Sequence, residues 1–136
     1  MPDTYAFNTT IPVRITDLNY GGHIGNDSLL SIIHEARMQF LQKFQASELH
    51  FFDHSLIMSD VAIEFKSEGF YGDRLLVGVA ATHFSRVGFD LYYSLTKVEE
   101  KGSVTIALAK TGMIYFDYNS KKVMPIPLGI SQLLSQ

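Results

Sequence analysis

The chain has 136 residues, 46% of them hydrophobic, with a formal net charge of −3 and no cysteine. That length and apolar content fit one domain with a real core and argue against disorder, and the acidic balance gives no basic field to hold nucleic acid. The missing cysteine excludes disulfides, thiol catalysis and thiolate metal sites.

Met1-Pro2-Asp3 has neither a basic nor an apolar leader region. The longest apolar run, Leu75 to Ala81, is too short to cross a bilayer. A soluble, cytoplasmic protein without a membrane partner is therefore expected. Tyr5 to Ile15 reads as a first strand, with Tyr5, Phe7, Thr9, Ile11, Val13 and Ile15 on one side. Pro12 cannot donate to a ladder, so this strand needs an edge or a bulge there.

From Arg14 to Arg37 the period changes from 2 to 3.6. Asp17, Asn19, His23 and Asn26 gather at the junction around Gly21, Gly22 and Gly25. Asn26 is the expected N-cap, and Asp27 puts an acid in the first turn. The helix should run from Asn26 to Phe44. Leu29, Ile33, Ala36, Phe40 and Phe44 form its stripe, widened by Leu30, Ile32 and Leu41. A helix that apolar is mostly buried.

Gln45 to Ser55 reads as a loop or short helical turn. His50 and His54 stand at i, i+4 there, but no third ligand accompanies them, and no metal is expected. A strand starts at Leu56, where Val61, Ile63 and Phe65 alternate with Ala62, Glu64 and Lys66. Gly69 to Asp73 turns the chain. Strands follow over Arg74 to Phe84, Phe89 to Val98 and Ser103 to Tyr115. They are separated by a turn or bulge at Ser85 to Gly88 and a turn at Glu99-Glu100-Lys101-Gly102. Asn119-Ser120 is a further turn. The tail from Lys121 to Gln136 has a short helix around Ile130, Leu133 and Leu134. Short links favour antiparallel pairing, and one long helix against such a sheet is an α+β layer. The helix is apolar round much of its girth, so the sheet should curl about it.

Helix starts carry unpaired N–H groups and a partial positive charge, and glycines let a ligand oxygen come close. The plain alternative is a tight turn joining strand to helix.

Arg14, Asp17, Asn19, Gly22, His23, Ile24 and Asn26, followed by Glu35-Ala36-Arg37, resemble the opening motif of the hotdog-fold acyl-CoA thioesterases. The likeness is to the 4-hydroxybenzoyl-CoA thioesterase-like branch. Tyr71-Gly72-Asp73, the run from His83 to Phe89, and Phe116-Asp117 with Val123 to Pro127 continue it downstream. The resemblance implies an α+β hotdog domain over residues 1–136, with about five antiparallel strands wrapped round one central helix. It implies hydrolysis of an acyl-CoA thioester to free acid and CoA, with no cofactor beyond the CoA of the substrate. It also implies a homodimer or homotetramer whose pocket lies between subunits.

Within that reading, backbone N–H groups of Gly22, His23 and Ile24 are expected to hold the carbonyl oxygen. Asp17 or Asn19 would position water, perhaps aided by Glu35, and Asn26 would border the substrate. Lys66 and Arg86 would meet the phosphates of CoA. Each also has an ordinary role: Asp17 as a loop cap, Asn19 as a local turn, His23 as a brace, Glu35 paired with Arg37 or a loop backbone group. One departure matters. The aspartate that many relatives place four residues before the motif histidine is Asn19 here, and an amide is neither base nor nucleophile at neutral pH. A non-catalytic acyl-ligand binder, or a hydratase using His23 with Asp17, therefore remains an alternative.

Overall fold

Stretches with an apolar residue at every second position supply the sheet, and the one stretch with period 3.6 supplies what it encloses. The computed structural model describes residues 2, 4–100 and 102–135. Met1, Asp3, Gln136 and Lys101 of the expected last hairpin turn lie outside the described residues. The strands are β1 (Phe7–Pro12), β2 (Ser55–Phe65), β3 (Arg74–Thr82), β4 (Gly88–Glu99), β5 (Gly102–Asp117) and β6 (Lys122–Val123). The helices are α1 (Asn26–Gln42) and α2 (Ile130–Leu134). All pairings are antiparallel, in the order β1-β3-β4-β5-β2, with the short β6 on the far end of β5.

The core lies between α1 and the concave face of the sheet. Leu29, Ile32, Ile33, Ala36, Phe40 and Leu41 of α1 meet Val77 and Val79 of β3 and Leu91, Tyr93 and Leu95 of β4 in one buried cluster. Fully burying a side chain of this size contributes about 1.5–3 kcal/mol. α2 closes one end of the cluster with Ile130 and Leu134. Among the described residues, no helix is long and apolar enough to cross a membrane.

The first strand is shorter than the alternation predicts. It ends at Pro12, on an edge as expected, because residues 15–17 form a single 3-10 turn. The Arg14 N–H donates to Asp17 Oδ2 at 2.8 Å, which bends the chain out of extended geometry. Ile15 is thrown outward and is 67% exposed. α1 stops at Gln42, and a turn through Gln45, with φ at 58°, replaces the last expected helical residues. Leu30, expected on the buried stripe, faces outward.

Arg37 is a further difference. Its Nε donates to Glu48 at 2.6 Å and not to Glu35, and its Nη1 donates to the Tyr93 hydroxyl at 3.3 Å. That hydroxyl also bonds Thr111 Oγ1 at 2.8 Å. Burial pushes the Tyr93 phenol above its ordinary pKa. Burial works against the Arg37 charge, but Tyr93 and Glu48 hold its pKa above the usual arginine value. Removing the hydroxyl would leave buried partners unmatched. Tyr93→Phe should cost about 1–3 kcal/mol in urea unfolding, and a cost near zero would show that the network contributes nothing.

Candidate active site

Three short segments meet where the chain enters α1. In the first, Leu18 and Ile24 form an isolated antiparallel bridge. The Asn19 N–H donates to His23 O at 2.9 Å, and the Gly25 N–H to Asp17 O at 3.0 Å. Gly22 sits at the tip with φ at 85°, a conformation that side chains rarely adopt, and its N–H donates to Asn19 O at 3.0 Å. Asn19 Oδ1 accepts the Gly21 N–H at 2.9 Å, closing a local side-chain turn. Because the oxygen is held there, Nδ2 is the end of the amide left to donate elsewhere.

The second segment, residues 66–73, links β2 to β3. The Ile24 N–H donates to Gly69 O at 2.8 Å, and a Cβ on Gly69 would lie 2.3 Å from Ile24 Cδ1. Glycine is what lets these loops touch. Lys97, largely buried in β4, pins the segment from below. Its Nζ donates to Glu68 O at 3.3 Å and to Asp73 Oδ2 at 3.1 Å, and lies 5.0 Å from the Phe70 ring centroid. The third segment is a bulge in β5. Ile106 has no partner on β4, and its carbonyl accepts the N–H groups of Lys66 at 2.9 Å and Ser67 at 3.2 Å.

A crevice of about 320 Å³ lies between them. Ile24, Leu29, Phe65 and Ile106 give it an apolar wall. Asn19, His23, Asn26, Lys66, Ser67 and Glu68 give it polar groups. α1 begins at its edge. Gly25 is the N-cap, so Asn26 is the first helical residue and not the cap that the sequence predicts. The N–H groups of Asn26, Asp27 and Ser28 have no acceptor among the described residues, while the Leu29 N–H already bonds Gly25 O at 3.0 Å. The helix therefore presents unpaired donors and its positive end here.

Of the residues predicted for the site, Asn19, His23, Ile24, Asn26 and Lys66 line this crevice. Four do not. Asp17 is 2% exposed, and its carboxylate accepts from Arg14 N, Nε and Nη2 at 2.8, 3.3 and 3.2 Å. This contact also raises the Arg14 pKa. Gly22 stands at the loop tip. Glu35 lies on the exposed face of α1, where it accepts from Gln39 Nε2 at 2.8 Å. Arg86 is in the β3–β4 turn, with its carbonyl accepting the Ile126 N–H at 2.8 Å.

The expected carbonyl-holding amides also change. Those of Gly22 and Ile24 are spent on Asn19 and Gly69, which leaves the His23 amide and the helix-start amides without a backbone acceptor among the described residues. Lys66 Nζ is held by Glu64 Oε1 at 2.5 Å. Leu29, Phe65, Ser67, Glu68, Gly69 and Ile106 also line it and were not among the residues predicted for the site. Glu68 Oε1 lies 3.8 Å from His23 Nε2, and no spacing in the sequence signals a pair 45 positions apart. Among the described residues, no cluster of three or more His, Asp or Glu side chains is arranged to hold a metal ion.

Solved structures repeat this architecture. A 1,4-dihydroxy-2-naphthoyl-CoA thioesterase from Synechocystis matches with a TM-score of 0.78 and 24% identity, over 89% of each chain. A 4-hydroxybenzoyl-CoA thioesterase mutant, complexed with 4-hydroxybenzoyl-CoA, matches with a TM-score of 0.82 and 13% identity, over 95% of this chain and 98% of that one. A Thermus thermophilus thioesterase complexed with coenzyme A and Zn matches with a TM-score of 0.81 and 19% identity, over 98% and 100%. These likenesses establish the hotdog fold. No curated protein sequence matches the chain. The profile of the thioesterase-like superfamily matches residues 13–134, and the chain belongs to that superfamily.

Proposed function

We propose that the chain hydrolyses an acyl-CoA thioester to the free acid and CoA. The observation that carries this reading is the set of unpaired amides of Asn26, Asp27 and Ser28 at the edge of a crevice that also holds Asn19. A thioester carbonyl becomes negative as water adds, and fixed donors aimed at that charge lower the barrier. Asn19 Nδ2 and the helix start would hold the oxygen. The apolar wall would take the acyl group, and Lys66 would reach toward the phosphates of CoA. Water is the nucleophile. Incubating the chain with a panel of acyl-CoAs and a thiol-reactive dye tests this: free thiol should appear with at least one of them. A second reading rests on Asn19. An amide where many relatives carry an aspartate suits a protein that binds acyl-CoA without turnover.

The active form is proposed to be a dimer built on β2. This is an 11-residue edge strand with Met58, Val61 and Phe65 exposed. Exposed edges of that length invite pairing. Phe65 and Lys66, at the end of β2, border the crevice, so a partner there would form part of its mouth. Val61→Lys should convert a dimer into a monomer in size-exclusion chromatography and lower activity at the same protein concentration. An unchanged elution volume would place the interface elsewhere.

A further inference from the structure

The thioesterase reading needs a group that takes a proton from water, and the predicted carboxylates are committed elsewhere. Asp17 is buried against Arg14, and Glu35 is bonded to Gln39 outside the crevice. Asn19 cannot accept the proton. Glu68 is the one carboxylate among the described residues that line the crevice. We propose that Glu68 is the general base of the hydrolysis, with His23 holding the same water. This assignment rests on the thioesterase reading.

The geometry supports it in two ways. First, Glu68 Oε1 and His23 Nε2 are 3.8 Å apart, too far for a direct hydrogen bond and close enough for one water to touch both. Second, the backbone that carries Glu68 is fixed. Lys97 holds the Glu68 carbonyl, and the next residue, Gly69, is bonded to Ile24. A side chain that is 63% exposed itself thus stands on an anchored loop that lines the same crevice as Asn26.

In the reaction, Glu68 Oε1 takes one proton of the water as its oxygen bonds to the thioester carbon. Neutral His23, with its proton on Nδ1, accepts the second hydrogen at Nε2 and keeps the water aimed. The carbonyl oxygen carries the negative charge against the helix-start amides. The adduct then collapses, the C–S bond breaks, and the leaving thiolate takes the proton back from Glu68. Acid and thiol leave, and the carboxylate is restored.

Glu68→Gln keeps shape and removes the base. On an acyl-CoA that the wild type hydrolyses, kcat should fall about 10²–10⁴-fold with KM little changed. In Glu68→Ala, added formate should restore part of the rate by supplying an external carboxylate. A structural defect would not respond to it. Full activity in Glu68→Gln overturns the assignment. So does a loss that formate fails to relieve in Glu68→Ala, because Glu68 then acts only through folding. A wild type that hydrolyses none of the panel overturns the thioesterase reading, and this assignment with it.

Discussion

Asn19→Ala should lower kcat on the best acyl-CoA substrate by about 10²–10³-fold, the usual cost of deleting one donor to a developing oxyanion. Asn19 is held by its own loop. Oδ1 accepts the Gly21 N–H, so the amide cannot flip, and Nδ2 keeps one direction. Alanine removes the donor and the local turn together. Asn19→Asp separates the two, because a carboxylate can keep the turn but cannot donate. If Asn19 acts by donating, the aspartate variant should also be slow. If instead the chain is a binder that has lost its base, wild type should be inactive and Asn19→Asp should gain hydrolysis. Activity unchanged in both variants would remove Asn19 from the site.

Phe40→Ala should destabilise the fold by about 3–5 kcal/mol, a large share of the roughly 5–15 kcal/mol that holds a typical domain together. Phe40 is fully buried, and its ring meets Phe7 of β1 edge-on at 5.8 Å and Phe44 at 5.3 Å. Truncation opens a void between the helix and the edge strand, which backbone relaxation fills only in part. Urea unfolding measures it. A loss below about 1 kcal/mol would mean that the helix is not packed as described. The packing that fixes α1 also fixes the amides at its start, on which the proposed function rests.

Periodicity carried most of the architecture. The stripe of Leu29, Ile33, Ala36 and Phe40 can bury itself only against a sheet, and the short turns between the later strands allow little but antiparallel pairing. What the pattern missed depends on partners far along the chain. Ile15 keeps the alternation of a strand, but Arg14 and Asp17 bond each other and end that strand early. Arg37 has Glu35 close by in sequence, yet its partner is Glu48, because the helix turns the guanidinium inward and Glu35 outward.

The candidate site was legible to the extent that it is local. Asn19, His23, Ile24 and Asn26 fall in one glycine-rich run, and the structure keeps them together. Asp17 belongs to the same run and departs from it because burial demanded a charged partner. The choice of amides could not be read from sequence, since Gly22 and Ile24 look as open as their neighbours until Asn19 and Gly69 take their hydrogens. Glu68 is the extreme case. It reaches His23 only because the bulge at Ile106 and the anchor at Lys97 place the β2–β3 loop beside the helix start.

The most direct test is a crystal structure with a CoA analogue in which a methylene replaces the thioester sulfur, leaving the carbonyl intact. The ketone oxygen should lie about 3 Å from Asn19 Nδ2 or from the amides of Asn26 to Ser28, with the acyl chain along Leu29 and Phe65. An analogue bound with its carbonyl away from this crevice, while the helix-start amides face only solvent, would contradict the account.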